Sequence, residues 1–167
     1  MGPPDRLADE QIDTYVALMD VAGQLRFRLE LHLREVSRVS FVQFEILGRL
    51  MRAPSQQLRM TDLADSIAVS RSGLTYQVTA LTEAGFVDRS TSPDDERATL
   101  VALTDAGRDE FLQALPGHVE IVRTLLFDAV PEKDARSLGK ALGRIRDHIR
   151  ALPPRSAQAR RARATRE

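Results

Sequence analysis

The stretch from Ser70 to Gly85 specifies its own start, its buried side and its end, and so constrains the fold more than any other part of the chain. Ser70 offers an N-cap hydroxyl, Val69 and Leu74 have the spacing of a hydrophobic staple, and Gly85 supplies a stop. Leu74, Val78 and Leu81 recur at i, i+4 and i+7, which marks one buried stripe of a helix. With each residue turning the helix by about 100°, the opposite face carries Ser72, Thr75, Tyr76, Thr79 and Ala80. These are compact or hydrogen-bonding side chains.

A second short helix, Thr61 to Ala68, precedes this one across a tight turn, with Thr61 as its cap. The pair predicts a helix-turn-helix, in which the second helix lies in a DNA major groove. Downstream, Phe86 to Thr91 alternates as a strand, Ser92 to Arg97 is dense in turn formers and charge, and Thr99 to Leu103 returns as a second strand. A β-hairpin beside a helix-turn-helix is a wing. Upstream, Ser40 and Gln43 form a capping box, Val39 and Phe44 a staple, and Pro54 ends the helix that they open. Leu58 to Met60 alternates like a very short strand. Residues 37–104 therefore read as a winged helix-turn-helix domain.

Long helical segments flank it at 9–36 and 105–152. The first spreads apolar residues, including Ile12, Val16 and Met19, over more than one face, which in a chain this small calls for a second subunit. The last carries Leu138, Leu142, Ile145 and Ile149 in one unbroken stripe that also needs a partner surface. Between them, Pro116-Gly117 predicts a kink or break, and Pro131 is placed for a first helical turn. Residues 1–8 read as a flexible arm. Residues 153–167, with five arginines and no large apolar side chain, read as a disordered Arg-rich tail. The fold class is mainly α with a small β-hairpin: a winged helix-turn-helix domain with N- and C-terminal dimerisation helices.

Composition narrows the chemistry. The absence of cysteine removes disulfides and thiolate metal sites, and no apolar run approaches the length of a membrane span, so a cytoplasmic protein with no membrane association is the expectation. His32, His118 and His148 lack metal-ligand spacing, and neither a phosphate-cradling glycine loop nor a nucleophile elbow is present. Catalysis, metals and cofactors are accordingly not expected. Net charge is zero over the 167 residues, and Met60 to Thr104 holds three arginines against seven acidic residues. A strong, sequence-blind grip on phosphates is not available to such a module.

Three stretches in order resemble the MarR (multiple antibiotic resistance regulator) family of bacterial winged helix-turn-helix repressors, which work as dimers. Ser70-Arg71-Ser72-Gly73-Leu74-Thr75 through Leu81 and Gly85-Phe86-Val87 is similar to the family's recognition helix. Pro93-x-Asp95-x-Arg97 followed by Val101-x-Leu103-Thr104-x-x-Gly107 is similar to its wing signature, and the long terminal helices look like its dimerisation helices. The helix face and the resemblance together name Ser70, Arg71, Ser72, Thr75, Tyr76, Gln77 and Thr79 as DNA-contacting residues. The resemblance implies that Arg97 inserts into a minor groove at the wing tip with Asp95 holding the arginine or the hairpin in shape. Many members carry arginine where this chain has Tyr76, and an acid followed by arginine at Thr79-Ala80.

The partners implied are a second copy of the chain and double-stranded DNA with a pseudo-palindromic operator, its half-sites about one helical turn, ~34 Å, apart. A small, often phenolic effector that releases DNA is a further implication, with Tyr15, Phe27, His32 and Phe44 as candidate pocket residues. The alternative reading is a winged-helix protein-binding module with weak or no DNA affinity.

Overall fold

The computed structural model describes residues 6–92 and 95–152, and of residues 96 and 97 the backbone. Two compact units form, one up to Leu125 and one from Leu126. The first contains α1 (Asp9–Val36), α2 (Phe41–Arg52), a 3-10 turn (Pro54–Gln56), β1 (Gln57–Arg59), α3 (Met60–Ser66), α4 (Arg71–Glu83), β2 (Val87–Ser92), β3 (Asp95–Leu103) and α5 (Asp105–Val122). A π-type turn (Arg123–Phe127) follows, and the second unit contains α6 (Glu132–Ala151). The expected tail at 153–167 lies outside the described residues.

Local capping sets several of these boundaries. Ser40 Oγ accepts from the Gln43 N–H at 3.3 Å while Gln43 Oε1 accepts from the Ser40 N–H at 2.8 Å, so the capping box is complete. Ser70 caps α4 through the Gly73 N–H at 3.0 Å, and Thr104 caps α5 through the Gly107 N–H at 3.0 Å. Thr61 does not cap α3. That helix starts at Met60 directly out of β1, which leaves Arg59, without a side-chain cap, at the N-cap position, and the Thr61 hydroxyl reaches Asp62 instead. The same helix ends at Ser66, because Ile67 turns extended and buries its side chain in the core.

Pro116 does not break α5, which continues as one helix to Val122. The bond that proline cannot make would fall on the carbonyl of Leu112, and both residues are exposed, so water can take the place of the missing donor. Pro131 sits at the N-cap of α6 rather than inside its first turn, its carbonyl accepting from the Asp134 and Ala135 N–H groups.

The hairpin gains a third strand. The sheet is antiparallel in the order β1-β3-β2, with Leu58 opposite Val101 and Val87 opposite Leu103. Asp95 already pairs with Ser92, so part of the charged segment expected as turn belongs to β3. Leu74, Val78 and Leu81 of α4 enter one core with Phe44, Leu47 and Leu50 of α2, Leu63 of α3, Val101 of β3 and Phe111 of α5. Burial of this kind, about 1.5–3 kcal/mol per large apolar side chain, is what fixes α4 in place.

The core stops short of the long helices' remaining length. From Asp9 to Gln24 every α1 residue is exposed, including Ile12, Val16 and Met19. α6 has no buried residue, and Leu138, Leu142, Ile145 and Ile149 all face solvent. No helix among the described residues is long and apolar enough to cross a membrane.

Candidate nucleic-acid interface

Along α4, burial alternates as the sequence predicts. Leu74, Val78 and Leu81 are buried, Arg71, Ser72, Thr75 and Tyr76 are exposed, and Gln77 and Thr79 lie on the half-buried flanks. The structure thus brings the predicted recognition residues onto one helix and its N-cap, Ser70, on or beside the outward face. Tyr76 stands out with 71% of its surface exposed. The hydroxyls are less free than the sequence implies. Ser70 Oγ and Ser72 Oγ are 3.2 Å apart and hydrogen-bonded, and Thr75 Oγ1 donates to the Arg71 carbonyl at 3.0 Å.

The base of the wing is joined to the end of this helix by a set of backbone contacts. Gly85 has φ of +75°, and its N–H and that of Phe86 bond back to the carbonyls of Thr82 and Leu81, closing α4 in a Schellman turn. Thr104, at the far end of β3, donates from Oγ1 to the Gly85 carbonyl at 2.8 Å and from its N–H to the Phe86 carbonyl at 3.2 Å. Gly107 then packs so closely that a Cβ there would come within 2.0 Å of the Phe86 carbonyl oxygen. Asp95 and Arg97 lie at the start of β3, toward the tip, where the backbone of both is described.

Arg38, in the link between α1 and α2, ties this joint to α5. Its backbone N–H donates to Glu110 Oε1 at 2.6 Å, its guanidinium donates to Oε2 at 3.0 Å, and the same guanidinium lies 4.8 Å over the Phe86 ring. Neither residue was predicted. The pairing is long-range, and the only sequence signal is an acidic residue at a position where α5 needs an apolar one.

The four candidate effector residues are not brought together. Tyr15 and Phe27 are exposed on α1, whereas Phe44 is core, stacked between Phe111 and His118 with ring centroids 4.7 Å from each. His32, also of α1, packs against α5: its Nε2 donates to the Ala114 carbonyl at 3.0 Å, over Gly117, where a Cβ would meet the ring. His32 also borders an open groove of about 580 Å³ with Arg28, Leu31, Glu35, Glu120 and Thr124. At its rim the Glu120 carboxyl is held below its usual range by its hydrogen bond to Arg123. No cluster of three or more His, Asp or Glu side chains among the described residues has the form of a metal site.

A family model described as MarR family matches residues 39–99, from just before α2 into β3. Among solved structures the chain is similar to Sco3205, a MarR family transcriptional regulator from Streptomyces coelicolor in complex with DNA. The two are 30% identical over 92% of this chain and 94% of that one, with a TM-score of 0.80. It is likewise similar to AbsC, a MarR family transcriptional regulator from the same organism, at 29% identity over 89% of this chain and 100% of that one, with a TM-score of 0.81. Among curated relatives, the HTH-type transcriptional repressor YetL of Bacillus subtilis (strain 168) is 27% identical over 69% of this chain and 68% of its own length.

Proposed function

The chain belongs to the MarR family of transcriptional regulators, and on that premise we propose that it works in the cytoplasm as a homodimer that binds a pseudo-palindromic DNA operator and represses transcription until a small aromatic ligand releases it. The observation that carries this reading is the exposed face of α4, held outward by a fully buried stripe beside a sheet whose base is fastened to the same helix. In this reading α4 contacts base edges in the major groove through Arg71, Ser72, Thr75, Tyr76, Gln77 and Thr79, while Asp95 and Arg97 serve the wing. Repression is supported by the likeness to a named repressor.

The dimer is supported by the apolar residues that α1 and α6 each leave in water. Covering half of them would contribute several kcal/mol.

The experiment is a titration of the full-length protein, by fluorescence anisotropy, with the DNA upstream of its own gene, alongside its mass in solution. Binding by a dimer, saturating at low salt and weakened by an aromatic carboxylate, is the expected result. A folded dimer that binds no such fragment at low salt overturns the reading in favour of a protein-binding winged helix, to which the acidic module is suited.

A further inference from the structure

The small hydroxyls at the start of α4 are largely engaged within the protein. Thr75 has given its only hydroxyl proton to the Arg71 carbonyl, which leaves its methyl as the unengaged group, and the Ser70 and Ser72 hydroxyls share one hydrogen bond with each other. Arg71 is the one cation of the helix and Glu83, at the opposite end, its one acid. Between them stands Tyr76, with 71% of its surface exposed the most exposed large apolar or aromatic side chain among the described residues. A ring left in water at the centre of such a face is stabilised by whatever apolar surface covers it. In the major groove of a duplex the base edge that offers apolar surface is thymine, through its C5 methyl group.

We propose that Tyr76 is a specificity-determining residue that selects thymine by packing its ring on the C5 methyl, with the Thr75 methyl beside it. The proposal rests on the DNA-binding reading above. It assigns discrimination to apolar contact rather than to the hydroxyls, and it requires a thymine in each half-site opposite Tyr76.

The test selects bound sequences from a random duplex pool with the full-length protein, then replaces each thymine of the enriched site by uracil, which deletes the methyl and keeps the pairing. One thymine per half-site is expected to respond, its replacement weakening wild-type binding about fourfold, the effect of one methyl-sized group withdrawn from contact. Tyr76→Ala is expected to bind the thymine and uracil duplexes equally with an unchanged melting temperature, and Tyr76→Phe to keep the wild-type preference. A wild type indifferent to every substitution, or a Tyr76→Ala protein that still prefers thymine, overturns the proposal. Loss of the preference in Tyr76→Phe does so too, by assigning it to the hydroxyl. A pool that yields no enriched sequence overturns the DNA-binding reading itself.

Discussion

Glu110 is buried in α5, and Arg38, 72 positions earlier in the chain, is what holds it: the backbone N–H on one carboxylate oxygen, the guanidinium on the other. Removing one member of a buried pair costs about 3–5 kcal/mol, and an exposed pair costs at most about 1. Arg38 is largely exposed and its backbone donor survives truncation, so Arg38→Ala is expected to lose about 2 kcal/mol, between these limits. Denaturant midpoints at fixed protomer concentration check this, and a change within error contradicts it. Because the same guanidinium lies over Phe86, DNA affinity is expected to fall with it.

Two glycines of α5 make opposite demands. At Gly107 an added Cβ meets a backbone carbonyl at 2.0 Å, which neither α4 nor β2 can yield, so Gly107→Ala is expected to cost about 3 kcal/mol or more. At Gly117 the obstacle is the far end of a side chain, the His32 ring. Losing one hydrogen bond there, about 1 kcal/mol, is offset by the better helix propensity of alanine, and thermal melts should place Gly117→Ala within about 1 kcal/mol of wild type.

His118 is pushed below its ordinary pKa of 6.5 first by burial against Phe44 and then by the charges of His32 and Arg52. In this pH range the unfolded chain binds a proton that the folded chain refuses, so the contribution of His118 is complete above pH 6.5 and declines as pH falls toward the lowered folded value. His118→Phe keeps the stack and removes the titration. The stability difference between variant and wild type is expected to grow in favour of the variant from pH 7.5 to 5.5; parallel curves would refute the assignment.

Ile145, exposed on α6, is expected to lie under a second subunit. Ile145→Glu should leave helix content intact and shift the particle from dimer to monomer in sedimentation equilibrium at micromolar protein. A variant that remains dimeric removes α6 from the interface.

Arg97 offers a cation directly after the acidic run from Asp94 to Glu96. Arg97→Ala is expected to weaken operator binding tenfold or more at an unchanged melting temperature. Equal affinities for the two proteins would dismiss the wing contact.

Much of what the sequence makes legible depends on neighbours a few residues apart, although nearness alone is not enough: the cap at Thr61 does not form, because α3 begins at Met60. The boxes and caps at Ser40, Ser70 and Thr104 lie within three positions of their partners, and each forms as the residue types dictate. The stripe at Leu74, Val78 and Leu81 is equally local. The pairing of β1 with β3, the grip of Arg38 on Glu110 and the seat of His32 on Gly117 join distant segments, and no short-range pattern encodes them. Pro116 shows the reverse error. A residue that breaks helices in isolation is accommodated when its lost bond faces solvent, and the sequence does not say which side that is. The effector candidates were scattered for a like reason, since an aromatic in a helix has the same appearance whether it stacks in a core, as Phe44 does, or faces solvent, as Phe27 does.

The latch between Thr104 and Gly85 has a mechanical consequence. With the last residue of α4's closing turn and the first residue beyond β3 bonded to each other, and Gly107 pressed on Phe86, the hairpin is clamped at its root. If α4 lies in the major groove as proposed, the distance from it to the wing's root is a fixed gauge that the protein brings to the duplex.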